Sequence, residues 1–222
     1  SFMAHPRSIA ALKQVSDCII IRRNEGYDYG SWMTGLSVNK ELIKERQQVI
    51  LTNDSFWGPV RPLSSLIERL DQSQGDVVGL TDNLMYEPHL QSPFVLFKSN
   101  AINSQVFWNF WDQLQQWETK RSLVKNYEVG LPVLLRQNGL TLESLYSKDS
   151  NGNLFHAEWR SLITNQGFPF LKVSLLRDNP HRVDVQDWQF VLNEYNQRLT
   201  LQIEQRFLLL HRNQFHPLRR QG

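Results

Sequence analysis

The 222-residue chain contains one cysteine, Cys18, so neither a disulfide framework nor a cysteine-rich zinc site can organise it. It has no uninterrupted apolar run near eighteen residues, the length of a membrane-crossing helix. The longest aliphatic runs, such as Cys18-Ile19-Ile20-Ile21, have only the length of a strand. No basic-then-apolar signal opens the sequence, and a reducing, cytoplasmic setting is the expectation. It has little charge of either sign in excess: 24 Lys and Arg against 22 Asp and Glu, too even for a nucleic-acid binder. Phosphate-binding glycine loops of the Walker or dinucleotide type are missing, as is Gly-x-Ser-x-Gly. The six histidines stand at no metal-ligand spacing.

The chain is 41% hydrophobic and 21% charged, the balance of a globular protein with a core. Seven tryptophans point first to core filling and second to stacking on sugars or bases. From Arg198 to Gly222 five arginines face one acid, Glu204. Such an end suits either a solvated terminal helix or contact with anionic lipid.

Apolar runs alternate with helical periodicity. Strands are predicted at Cys18–Ile21, Val49–Thr52, Asp76–Leu80 and Phe94–Phe97. Helices are predicted at Arg7–Val15, Ser31–Glu45, Leu63–Leu70, Asn103–Thr119 and Glu128–Gln137. A long helical region follows from Val185 to Phe215, and Lys148–Asn153 is the best internal boundary. This order predicts an α/β fold with a mostly parallel sheet flanked by helices. It also predicts a core over 1–147 and a helical C-terminal extension over 148–222 packed on it.

In open α/β sheets ligands gather at the carboxyl ends of strands. Three predicted strands end in polar clusters: Asn24 to Asp28, Asn53-Asp54-Ser55, and Thr81-Asp82-Asn83. Parallel neighbours would put Asp28, Asp54 and Asp82 on one rim, where a divalent ion bridging diphosphate oxygens would relieve their repulsion. The competing reading is that these residues cap helices and start turns. His89 and Gln91 occupy a polar loop just before a strand, where a histidine can meet phosphate or simply cap. Glu128 opens a helix, as the helix dipole favours, and can equally serve as a general base.

The order Asn24-x-Gly26-x-Asp28-x-Gly30, Val49 to Ser55, Gly79-Leu80-Thr81-Asp82 and His89-Leu90-Gln91-Ser92 resembles the rhamnan synthesis protein F family. Gly167-Phe168-Pro169-Phe170-Leu171-Lys172 and Leu175-Leu176-Arg177-Asp178-Asn179-Pro180 extend the resemblance. It implies a bacterial glycosyltransferase with a GT-A-like nucleotide-binding domain that builds rhamnose-containing surface polysaccharide. By that resemblance Asn53-Asp54-Ser55 stands where an Asp-x-Asp motif holds a divalent cation, Mg2+ or Mn2+, with Asp54 as the metal ligand. Glu128 matches the base position of a Glu-Asp-x-x-Leu segment, with Leu131 three residues on. Asn24, Gly26, Asp28, Asn53, Asp54, Ser55, Asp82, His89, Gln91 and Lys172 would bind the donor. Lys172 or Arg177 would offer positive charge to phosphate.

The implied donor is a nucleotide-activated deoxysugar, dTDP-L-rhamnose, and the acceptor a glycan or lipid-linked glycan at the inner membrane surface. A GT-A domain begins with a strand and helix that hold the base, whereas about fifteen residues precede Ser16 here. The expectation is therefore either part of a longer enzyme or a domain without its base-binding half. The rival expectation is a degenerate module that binds glycan-assembly components without catalysis.

Overall fold

The computed structural model describes residues 6–23, 25–84, 87–113, 122, 124–146 and 153–214. Eight strands are present among them: β1 Gln48–Thr52, β2 Phe56–Trp57, β3 Val77–Gly79, β4 Asp82–Asn83, β5 His89–Leu90, β6 Phe94–Lys98, β7 Leu142–Ser144 and β8 Leu171–Lys172. The main sheet has the order β1-β6-β3-β7. Two small ribbons accompany it, β2 with β8 and β4 with β5.

The sheet is mixed, which corrects the expectation of a mostly parallel one. Strand β6 runs antiparallel to both β1 and β3, and only β3 and β7 are parallel. The cause lies between β3 and β6. The β4–β5 ribbon folds the chain back, with the Gln91 N–H donating to the Thr81 carbonyl at 2.9 Å. The following strand therefore re-enters the sheet reversed, between β1 and β3. A short apolar run such as Phe94–Phe97 carries no mark of its direction, so the sequence could not show this.

Side-chain alternation along the central strands builds a core on each face. Val77 and Phe97 face one cluster, Val78 and Leu96 the other. The first cluster is closed by helices Tyr27–Val38, Gln105–Asp112 and Gly130–Gln137, which supply Leu36, Phe107, Trp111 and Leu135. The second is closed by helix Ser64–Gln72 and by residues beyond β7, among them Leu66, Leu70, Tyr146, Phe155 and Phe168. Residues on both sides of the boundary expected near 148 thus share one core. A third cluster, with Trp159, Leu175, Leu192 and Ile203, carries the C-terminal helices Trp188–Asn193 and Gln197–Gln214. Tryptophan serves these cores. Trp108, Trp111 and Trp159 are buried, and the indole N–H of Trp108 reaches the Ile102 carbonyl at 2.7 Å.

Hydrogen bonds pin the start of β3. Asp76 accepts from the Thr141 N–H at 2.8 Å, the Thr141 hydroxyl at 2.7 Å and the Asn100 amide at 2.8 Å. Those bonds, that from the Thr141 backbone first, hold its carboxyl below the usual range.

Cys18–Ile21 is not a strand. It is irregular, with Ile20 38% and Ile21 69% exposed. An apolar run becomes a strand only where a neighbour takes up its backbone groups, and no described residue pairs with this one. The helix expected over Ser31–Glu45 divides at Asn39 into Tyr27–Val38 and Lys40–Lys44, and Leu42 is exposed. The helix predicted from Asn103 runs from Gln105 to Asp112 before the described residues stop, and Trp117 lies outside them. The segment Gly167–Lys172 ends in β8, paired with β2. No described helix is long and apolar enough to cross a membrane.

Candidate functional site

The carboxyl end of β1 meets the start of helix Tyr27–Val38. Gly26 and Tyr27 both have positive φ, 72° and 52°, a conformation that costs a residue with a Cβ. Four residues on, a Cβ on Gly30 would lie 2.2 Å from the Glu25 carbonyl oxygen and 2.9 Å from the Arg22 guanidinium. The two glycines are thus demanded by the backbone itself. Together they make a tight entry that brings Asp28 to β1.

There the Asn53 amide donates to the Asp28 carboxylate at 2.8 Å. The Asn53 side-chain oxygen accepts the Ser55 N–H at 3.0 Å, closing an Asx turn around Asp54. The Ser55 carbonyl accepts the Val173 N–H at 2.8 Å, and the Trp32 indole reaches the Thr52 carbonyl at 3.0 Å. The loop is therefore held from three sides, with Asp54 exposed at its tip. Arg177 is paired with Asp178 at 2.7 Å, and that bond, with Asp54 as a weaker partner, favours its charged form.

Glu128 sits in a π-helical turn, Val124–Val129, ahead of helix Gly130–Gln137. Its Oε1 accepts the Ser92 N–H at 3.0 Å. Nearby, Tyr29 is buried and stacks on Tyr127 with ring centroids 5.5 Å apart. Burial first, then the negative charge of Glu128, raises the Tyr29 pKa well above the ordinary value, and a side-chain hydrogen bond with Ser92 opposes this. Tyr29, Ser92 and Glu128 border a mostly apolar cavity of about 20 Å3, which also touches Leu51, Phe97 and Trp111.

The remaining residues singled out from sequence are placed as follows. Gln91 is buried and bonded through its side-chain oxygen to the Thr81 hydroxyl at 2.7 Å. His89 is buried in β5, its Nδ1 2.7 Å from the Glu87 carbonyl oxygen. Asp82 lies in β4 opposite Leu90. Lys172, in β8, holds its ammonium 4.9 Å from the centre of the Phe56 ring and 5.5 Å from that of Phe155. Asn24 lies outside the described residues.

Asp28, Asn53, Asp54 and Ser55 are thus brought together, and Glu128 is tied to the His89–Ser92 stretch. The acids do not assemble into a closed cation cage: among the described residues no three His, Cys, Asp or Glu side chains converge on one point. Asp54, exposed at the tip of the turn, is a carboxylate that would suit an ion whose other ligands come from phosphate, the usual magnesium arrangement. Tyr29 and Ser92 were not singled out from sequence, although each adjoins a residue that was.

Comparison with known proteins agrees with the sequence resemblance. Among curated proteins, an uncharacterized protein, y4gN, of Sinorhizobium fredii is 31% identical over 143 residues, which is 62% of this chain and 37% of that protein. Virulence protein VirA of Vibrio anguillarum is 29% identical over 204 residues, 76% of this chain and 65% of that protein. The chain therefore spans less than two thirds of either relative. No solved structure matches it. The profile of the family described as Rhamnan synthesis protein F matches residues 4–206, and the chain belongs to that family.

Proposed function

We propose that this chain is the glycosyltransferase part of a protein that builds rhamnose-containing polysaccharide. The observation that carries the reading is the polar tip of β1, where Asn53 ties Asp28 to the Asx turn that presents Asp54. Family membership gives that tip its meaning. The donor is a nucleotide diphosphate sugar, dTDP-L-rhamnose, and the acceptor a glycan or lipid-linked glycan. A divalent ion on Asp54 would neutralise charge on the leaving diphosphate.

In an inverting displacement, Glu128 takes the proton of the acceptor hydroxyl. The oxygen attacks the anomeric carbon opposite the leaving group, and the carbon–diphosphate bond breaks with its electron pair on the phosphate. The Ser92 N–H keeps Glu128 oriented. Positive charge at Lys172 and Arg177 favours the developing diphosphate. The arginines near the C-terminus would hold the protein at the inner membrane surface.

One observation favours the rival reading of a binding module without catalysis. Glu128 is hydrogen-bonded to backbone and borders an interior cavity, as a purely structural carboxylate would. The Glu128→Gln variant of the full natural protein separates the two, because glutamine can still accept the Ser92 N–H. Transfer of labelled rhamnose from dTDP-L-rhamnose to membrane acceptors should fall at least ~100-fold, the scale of general-base catalysis. Unchanged transfer would remove Glu128 as base, and no transfer by the parent protein from any nucleotide sugar would favour the binding module.

A further inference from the structure

Helix Gln105–Asp112 carries amides at a spacing that puts them on one face. Gln105, Asn109 and Gln113 follow one another at intervals of four residues, with Phe110 beside them. A fourth amide, Asn138, ends helix Gly130–Gln137. These four amides, Phe110 and Tyr127 line an open cleft of about 500 Å3, the size of a small-molecule site. All four amides are exposed, Phe110 is half-buried and Tyr127 is buried.

The chemistry of the lining narrows the ligand. Among the described residues no side chain bordering the cleft carries a charge. A phosphate, a nucleotide or an acidic peptide would find no cation there, and a basic ligand no carboxylate. A purely apolar segment laid into the cleft would cover the amides without answering their hydrogen bonds, at a cost for each. The remaining class is a neutral ligand that both donates and accepts hydrogen bonds and also has an apolar face. A sugar meets all three conditions, through its hydroxyls and its ring C–H groups.

The groups that would meet it are held in place. The Gln105 amide N–H donates to the Asn109 side-chain oxygen at 2.7 Å, and the Asn138 amide N–H to the Leu134 carbonyl at 2.9 Å. These bonds leave the Gln105 and Asn138 side-chain oxygens as acceptors and the Asn109 amide N–H as a donor. The Phe110 ring stands at 90° to Trp111 and 89° to Tyr127, with centroids 5.3 and 5.6 Å away. A ring fixed in this way among amides offers apolar surface at little cost in lost freedom. Tyr127 also ties the cleft to the candidate base. It precedes Glu128 in the π-helical turn Val124–Val129, a rare form that is frequent at functional sites.

We propose that this cleft binds a neutral oligosaccharide, the part of the growing glycan next to the acceptor hydroxyl. The role of that glycan as acceptor rests on the transferase reading above. Its recognition uses neither Asp54 nor Glu128.

Titration calorimetry of the full natural protein with a rhamnose oligosaccharide, and separately with dTDP, tests this. The parent should bind the oligosaccharide. The double variant Asn109→Ala, Gln113→Ala changes two exposed positions to a residue that favours helix. It should bind the oligosaccharide ~10-fold or more weakly, the scale of two lost hydrogen bonds, with its dTDP affinity unchanged. Phe110→Leu should weaken the same ligand several-fold, and the double variant remains informative if Phe110→Leu fails to fold. Parent-like oligosaccharide affinity in the double variant overturns the proposal, as does a parent that binds no oligosaccharide. Self-association lost in the double variant, without sugar binding by the parent, would overturn it in favour of a protein interface. Amide-dependent sugar binding in a parent that transfers no sugar would overturn the transferase reading alone. Sugar transfer with a parent-like acceptor KM in the double variant would overturn this proposal alone.

Discussion

The amide of Asn53 is bonded to the carboxylate of Asp28, 2.8 Å apart across 25 residues of sequence. The same side chain closes the Asx turn at Ser55. Asn53→Ala removes both bonds and should cost about 1–2 kcal/mol in urea unfolding. Asn53→Asp places two carboxylates together and should be less stable than the alanine variant at pH 7. That excess should shrink as the pH is lowered and the repelling charges are neutralised. Equal stability of the two variants at pH 7 would mean that Asp28 and residue 53 are apart in solution.

Gly30 faces the Glu25 carbonyl at a distance no Cβ tolerates. Gly30→Ala must push back the loop before helix Tyr27–Val38 and should lower stability by roughly 2–3 kcal/mol, within the range of overpacking. Gly35, with open space around it, is the control. Gly35→Ala, on the same helix, should raise stability by about 0.5–1 kcal/mol. Thermal melting of the two variants checks the contrast, and similar melting points would contradict the close approach.

Thr81 and Gln91 satisfy each other in the interior, 2.7 Å apart. Thr81→Val keeps the shape and strands the Gln91 oxygen, at a cost of about 1–3 kcal/mol. The double variant Thr81→Val, Gln91→Leu removes both polar groups and should recover part of that loss. Independent, additive losses would show that the two side chains are not coupled.

His156 makes stability depend on pH. Its folded-state pKa of about 4 lies below the ordinary value of 6.5. The unfolded chain therefore takes up a proton first as pH falls. The contribution is complete above pH 6.5 and is lost as pH falls from 6.5 towards 4, on the order of 2 kcal/mol. His156→Phe should flatten that part of the stability curve, whatever its effect at pH 7. A curve of unchanged slope would place the titration on another group.

Much of the site was legible because its residues are local. Gly26, Asp28 and Gly30 lie within one turn, and Asn53-Asp54-Ser55 directly follow an aliphatic run, so spacing alone suggested a loop at a strand tip. The partners of these residues were not legible. Gln91 reads as a polar loop residue in sequence, and only the β4–β5 ribbon shows it to be a buried companion of Thr81. His156 reads as a scattered histidine until the segment after β8 brings Ser174 and His181 to it.

The sequence by itself determined the mixture of strands and helices, the apolar faces that must be buried, and the glycine-bearing turn Asn24 to Gly30 at the entry to helix Tyr27–Val38. These follow from periodicity and backbone sterics, which act over a few residues. Only the tertiary structure decided strand direction, the exposure of Cys18–Ile21 and the pairing of Asn53 with Asp28. An apolar run reads alike in either direction, and its burial depends on a neighbour elsewhere in the chain. A polar side chain likewise gains its role only from the distant group that answers its hydrogen bond.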